Sequence, residues 1–155
     1  MKNIIRKSIW AISLICILIS CSQYSMDEHL SAPEKIEIDD REYILETGLY
    51  RNFFPPMPPS GLVGSIYIIA LDSLQFPSSL DASHMWVIKD DDIWDTYLIE
   101  RVIPGDQIYK MKKRIRDEGP DWGPHIYVDV VVEIVNNENG SYLLRADSQW
   151  IGRLD

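Results

Sequence analysis

The stretch Ile126-Tyr127-Val128-Asp129-Val130-Val131-Val132-Glu133-Ile134 decides the fold class. Ile126, Val128, Val130, Val132 and Ile134 recur at a period of two, the spacing that puts successive side chains on opposite faces of a strand. Tyr127, Asp129, Val131 and Glu133 take the other face. The β-branched residues suit a pleated, half-buried surface. Asn136-Asn137-Glu138-Asn139-Gly140 then reads as a turn, with Asn139-Gly140 suited to positive φ. Ser141 to Ala146 returns as the partner strand.

Working back from this hairpin, short β-rich segments alternate with turn signals. Ile36 to Ile38, Glu42 to Phe54, Ser65 to Leu71, Met85 to Lys89 and Ile93 to Glu100 read as strands. Pro55-Pro56-Met57-Pro58-Pro59-Ser60-Gly61 interrupts the ladder, because proline donates no main-chain hydrogen bond. Gln107 to Asp117 fits two periods. Lys110, Lys112, Arg114 and Arg116 alternate against Met111 and Ile115 as on a strand, while Ile108, Met111 and Ile115 also match helical spacing. The β-rich surroundings favour a strand. Seven or so short strands, turns at this spacing and a mid-chain strand carrying Trp86 make an all-β, antiparallel sandwich the expected fold, with a closed barrel as the alternative.

The chain has 155 residues, enough for one domain core. Its formal charge of −9 argues against nucleic acid, whose phosphates require a dense basic surface. Two cysteines supply neither a disulfide framework nor four zinc ligands.

Residues 1–20 read as an export signal. Lys2, Arg6 and Lys7 precede an apolar run from Ile9 to Ile19, too short to span a bilayer core of ~30 Å at ~1.5 Å per residue. The run ends Leu18-Ile19-Ser20-Cys21, which resembles the lipobox of bacterial lipoproteins. The resemblance covers only residues 1–21. It implies that the Cys21 sulfur takes a diacylglyceryl group and that a lipoprotein signal peptidase cuts before it. Two or more acyl chains then anchor stably. Removing residues 1–20 takes away three of the 15 basic residues and none of the 24 acidic ones, leaving a formal charge of −12. An anionic membrane repels such a chain, so lipid must do the anchoring. Ser22 after the cysteine implies an outer-membrane address, on a side the sequence leaves open. From Cys21 to about Glu34 the chain is polar and reads as a flexible tether before a domain over 35–155.

The region after the tether resembles an immunoglobulin-like β-sandwich, which implies Trp86 as its core tryptophan, but it has no inter-sheet cysteines. Tyr50-Arg51-Asn52-Phe53-Phe54-Pro55, Trp122-Gly123-Pro124 and Tyr142-Leu143-Leu144-Arg145 are similar to uncharacterised bacterial secreted proteins. Neither resemblance implies an activity.

Three segments carry candidate chemistry. Trp122, in the rigid loop Gly119 to Pro124, offers an indole for stacking, and Phe53 and Phe54 border the proline loop; their plainer role is to cap the core. Lys110, Lys112, Arg114 and Arg116 would lay a positive stripe on an acidic protein, for docking an acidic partner or for blocking an exposed sheet edge. Asp90-Asp91-Asp92 with Asp95 supplies oxygens of the kind calcium takes, but lacks the EF-hand glycine and terminal glutamate. A solvated turn is the simpler account.

Enzyme motifs are missing: no Gly-x-Ser-x-Gly elbow, no His-Glu-x-x-His helix, no phosphate-binding glycine loop. His84 and His125 stand near strand starts without metal-ligand spacing. Asp129 and Glu133 share a strand face but stand ~13 Å apart at ~3.3 Å per residue, beyond glycosidase spacing. The expectation is a lipid-anchored, non-enzymatic binding module needing no cofactor or metal. Its partners would be the membrane through Cys21 and an envelope protein or glycan. The alternatives are a carbohydrate- or calcium-dependent module and, behind it, a small envelope hydrolase using His84 and His125.

Overall fold

The computed structural model describes residues 25–138 and 140–155. Residues 1–20 and Cys21 lie outside the described residues. Helix α1 (Met26–Leu30) precedes eight strands: β1 (Lys35–Ile38), β2 (Arg41–Asn52), β3 (Val63–Ala70), β4 (Leu80–Lys89), β5 (Asp92–Val102), β6 (Lys110–Ile115), β7 (Tyr127–Asn136) and β8 (Gly140–Leu154). Among the described residues no helix is long and apolar enough to cross a membrane.

The strands pair in the order β1-β2-β3-β6-β5-β4-β7-β8, and β8 returns to β2. Seven strands therefore close into a barrel, and the chain is all-β. The last pairing is parallel, Leu49 to Asn52 against Ile151 to Leu154; the others are antiparallel. Closure leaves β2 to β8 without the unpaired edge that an open sheet presents.

Two strands make closure possible by changing partners along their length. In β5, residues 92–97 pair with β4, whereas Leu98, Ile99 and Val102 pair with β6. The register shifts between Ile99 and Val102, where Glu100 takes φ 57°. In β8, the residues up to Trp150 pair with β7 and those from Ile151 pair with β2. Its bulge lies at Ser148, with φ 51°, whose N–H donates to Asp129 Oδ1 at 3.0 Å. A bulge bends its strand, which is what a barrel corner requires.

The alternation in β7 is realised as the sequence pattern demands. Val128, Val130, Val132 and Ile134 point into the barrel, where they meet Leu45, Leu49, Ile66, Ile68, Met85, Met111 and Leu144. Gln107 to Asp117 supplies β6, a strand, with Met111 and Ile115 inward. Lys113 shares that inward face and is nearly buried, its ammonium 3.0 Å and 3.2 Å from the two carboxylate oxygens of Asp81.

Two expectations are corrected. Trp86 does not enter the barrel core. The register shift between Ala82 and His84 moves the inward positions of β4 from Leu80 and Ala82 to Met85 and Val87. Trp86 is thereby turned outward. The flexible tether is also shorter than expected, since the chain is already held from Ser25. Ser25 Oγ accepts the Glu28 N–H while Glu28 returns to the Ser25 N–H, a capping box that starts α1. Ala32 and Leu30 then pack with Ile88, Val131, Trp86 and Leu143 in a second apolar cluster outside the barrel. The Arg145 N–H donates to the Pro33 carbonyl at 2.9 Å. Burial of these few apolar side chains offsets the entropy of fixing the segment.

Candidate binding groove at the barrel end

The proline loop and the loop from Gly119 to Pro124 are neighbours in space, and Arg51 on β2 joins them. Its side chain is largely buried, with the residue 8% exposed. Nε donates to the Ser60 carbonyl at 2.8 Å; Nη1 donates to the Asp121 and Trp122 carbonyls at 3.1 and 3.2 Å; Nη2 donates to Asp121 Oδ1 at 3.1 Å. A planar guanidinium with five donors is the side chain suited to such a task. The main chains also meet directly: Gly119 N–H to the Leu62 carbonyl, 2.8 Å, and Leu62 N–H to the Pro120 carbonyl, 3.2 Å. Gly61 and Gly119 are glycines for closeness. A Cβ on Gly61 would press on the Gly119 carbonyl, and one on Gly119 would reach the Trp94 ring at 2.8 Å.

Beside this junction a groove of about 570 Å³ opens between the proline loop and the end of β6. Phe54, Met57 and Pro58 form its apolar side, Tyr50 and Ser65 are in its lining, and Arg114 and Arg116 bring positive charge beside the carboxylates of Asp117 and Glu118. Phe54 and Met57 are 54% and 69% exposed. Arg114 pairs with Glu100 at 2.6 Å and Arg116 with Asp117 at 3.2 Å. Both pairs stand more than half exposed, where an ion pair contributes only ~0–1 kcal/mol. A ligand carboxylate could exchange with either at small cost.

The structure divides the expected site residues. Phe54, Arg114 and Arg116 line the groove. Phe53 does not; its ring lies between the guanidinium carbons of Arg51 and Arg153, at 5.1 and 4.3 Å. Trp122 is half-buried against the core, which makes it a cap. The basic stripe is engaged locally: Lys110 lies 3.7 Å from Glu46, Arg114 and Arg116 have the acidic partners above, and Lys112 sits over the Tyr67 ring at 5.8 Å with its charge kept. Asp90 to Asp95 do not converge. Asp90 reaches Lys89 at 3.0 Å and Asp95 reaches His84 Nε2 at 2.9 Å. Among the described residues no three carboxylate, histidine or cysteine side chains gather in a metal-holding group.

His84 and His125 serve separate neighbourhoods. His84 stacks between Trp86 and Tyr97, with ring centroids at 4.4 and 4.8 Å. His125 leans on Trp150 at 5.3 Å. Glu133 accepts from Ser83 Oγ at 3.0 Å. Arg51 was not singled out by sequence reasoning, and Met57 entered it only as part of the proline loop Pro55 to Gly61. Arg51 stands in an alternating strand like any solvated arginine, and only the folded chain brings three carbonyls to it.

Compared with protein-family models, with curated proteins and with solved structures, the chain matches none.

Proposed function

We propose that the protein is a lipid-anchored envelope lipoprotein whose β domain is a non-enzymatic binding module. The groove bordered by Phe54, Met57, Arg114 and Arg116 would be its recognition surface. The observation that carries this reading is the buried Arg51 clamp, which holds the two end loops beside an exposed apolar wall. Rigid loops on a closed scaffold cut the ordering cost of binding. The occupant that suits the groove is an envelope-protein segment offering apolar side chains to Phe54 and Met57 and a carboxylate to Arg114 or Arg116. Lipidation at Cys21 and the outer-membrane address rest on residues 1–22 of the sequence alone.

The finer architecture we propose is an immunoglobulin-like sandwich drawn shut at its edges. Its support is the strand order. β2, β3, β6 and the second half of β5 form one run, β8, β7, β4 and the first half of β5 the other, and β8 also reaches β2.

Cross-linking in intact cells tests the function. Wild type, Cys21→Ser and the double variant Phe54→Ala/Met57→Ala are compared, with melting temperatures measured in parallel. One discrete partner that is lost from the double variant while its melting temperature stays within about 2 °C supports the groove, since exposed side chains contribute little to stability. A partner retained by the double variant rules the groove out. Retention of the same partner by Cys21→Ser would show that anchoring is not needed to meet it.

A further inference from the structure

A second surface lies on the outer face of β7 and β8. Tyr127 and Trp150 are cross-strand partners there, with ring centroids 5.0 Å apart and planes tilted by 56°. They are 65% and 45% exposed. His125, with φ 67° and its N–H donated to the Ile151 carbonyl at 2.8 Å, also leans on Trp150, with ring centroids 5.3 Å apart. Two large aromatic side chains held side by side in water leave apolar area uncovered that the barrel core, on the other face, does not use.

The same face continues into a depression of about 210 Å³ lined by Asp90, Tyr127, Asp129, Asp147 and Ser148. Arg145 backs it, with Nη1 3.9 Å from Asp129 Oδ2 and 3.7 Å from Asp147 Oδ1. Aromatic faces thus adjoin a rim of carboxylate acceptors. Burial pushes the Asp129 carboxyl above the usual range, and the Asp147 carboxyl beside it adds to this despite the Ser148 N–H.

We propose that Tyr127, Trp150, Asp129 and Asp147 form a binding site for a neutral or amino-sugar glycan. A ring π-face is electron-rich, so it attracts the C–H face of a pyranose, and the sugar's hydroxyls, all donors, need acceptors at the rim. The charge selects among ligands that stack. Asp90, Asp129 and Asp147 repel the phosphates of nucleic acid and the carboxylates of uronic-acid polymers. The site shares no lining residue with the groove, so it stands or falls independently of the reading above.

The test is titration of the full-length chain in detergent micelles with tetrasaccharides of glucose, mannose, xylose and N-acetylglucosamine. Polygalacturonate serves as the anionic probe, and binding is followed by calorimetry. The expected result is saturable binding of at least one tetrasaccharide, weakened about tenfold by Trp150→Ala and by Tyr127→Ala and unchanged by Trp122→Ala or Phe54→Ala. Each variant is melted alongside, and Trp150→Phe, which keeps a stacking face, should retain most of the affinity. Four results overturn the proposal. One is no tetrasaccharide bound below about 10 mM. Another is binding that Trp150→Ala and Tyr127→Ala leave intact. The third is polygalacturonate bound as tightly as the neutral sugars. The fourth is a dimer in sedimentation that Trp150→Ala dissociates, which would assign the surface to a second copy of the chain.

Discussion

Arg51 holds Asp121 at two points, donating to its carbonyl and to its carboxylate at 3.1 Å each. The two bonds differ in worth. Asp121's side chain is 84% exposed, so its charge is screened by water, whereas the main-chain bonds are made by a guanidinium taken almost wholly out of solvent. Asp121→Asn should therefore cost less than about 1 kcal/mol. Arg51→Met should cost about 2–4 kcal/mol, because the carbonyls of Ser60, Asp121 and Trp122 all lose their donor. Urea unfolding of the two variants measures both values. Equal losses would mean that the ion pair, and not the loop clamp, is what Arg51 provides.

Gly119 and Gly123, four residues apart, are opposites in the space around them. Gly119 faces the Trp94 ring, and a Cβ there would lie 2.8 to 2.9 Å from three of its atoms; Gly123 has nothing within 4 Å. Gly119→Ala should destabilise by about 1–3 kcal/mol through forced repacking. Gly123→Ala should be neutral or stabilise by up to about 1 kcal/mol by restricting the unfolded chain. Thermal melts compare them directly, and Trp94→Leu in the Gly119→Ala background should recover part of the loss.

His29, only 1% exposed, lies 4.4 Å from the Trp86 ring, and burial holds its imidazole below the ordinary value. The neutral ring is the form that fits. A base whose folded-state pKa is depressed gives stability that is complete above the unfolded pKa of ~6.5 and is lost as pH falls through the lower folded value. Acid should therefore loosen α1 before the barrel. Proteolysis between Ser25 and Pro33 should accelerate below about pH 6 and lose that dependence in His29→Phe. Cleavage at a pH-independent rate in wild type would contradict this.

Asp129 has the opposite sign. Its folded-state pKa is raised, chiefly by burial, so the protonated form is favoured on folding. The associated stability is present at low pH and lost as pH rises through the raised value. Asp129→Asn removes that loss while keeping an oxygen for the Ser148 N–H. The variant should melt higher than wild type at pH 7, and the gain should vanish below about pH 4, near the unfolded carboxylate pKa. A variant that melts lower at pH 7 would show that attraction to Arg145 outweighs burial.

The sequence by itself determined the strands, because alternation of β-branched and polar residues is a local property. The pattern from Ile126 to Ile134 fixes which side chains of β7 can be buried, and the prolines after Phe54 forbid a continuing ladder. Phe54, Arg114 and Arg116 were legible as candidates from local pattern too: Phe54 borders the proline loop, and the two arginines fall on one face of an alternating segment. What only the tertiary structure decided depends on register. In β8 the bulge at Ser148 adds one residue, so the inward positions pass from Leu144 and Ala146 to Ile151, and Trp150 comes to face Tyr127 on the outside. The register shift at Ala82 and His84 turned Trp86 outward in the same way. A bulge is a long-range compromise between strand curvature and closure, and no residue of its own strand announces it. The clamp at Arg51 is of the same kind: its acceptors come from residues 60, 121 and 122, and chain closure alone brings them together.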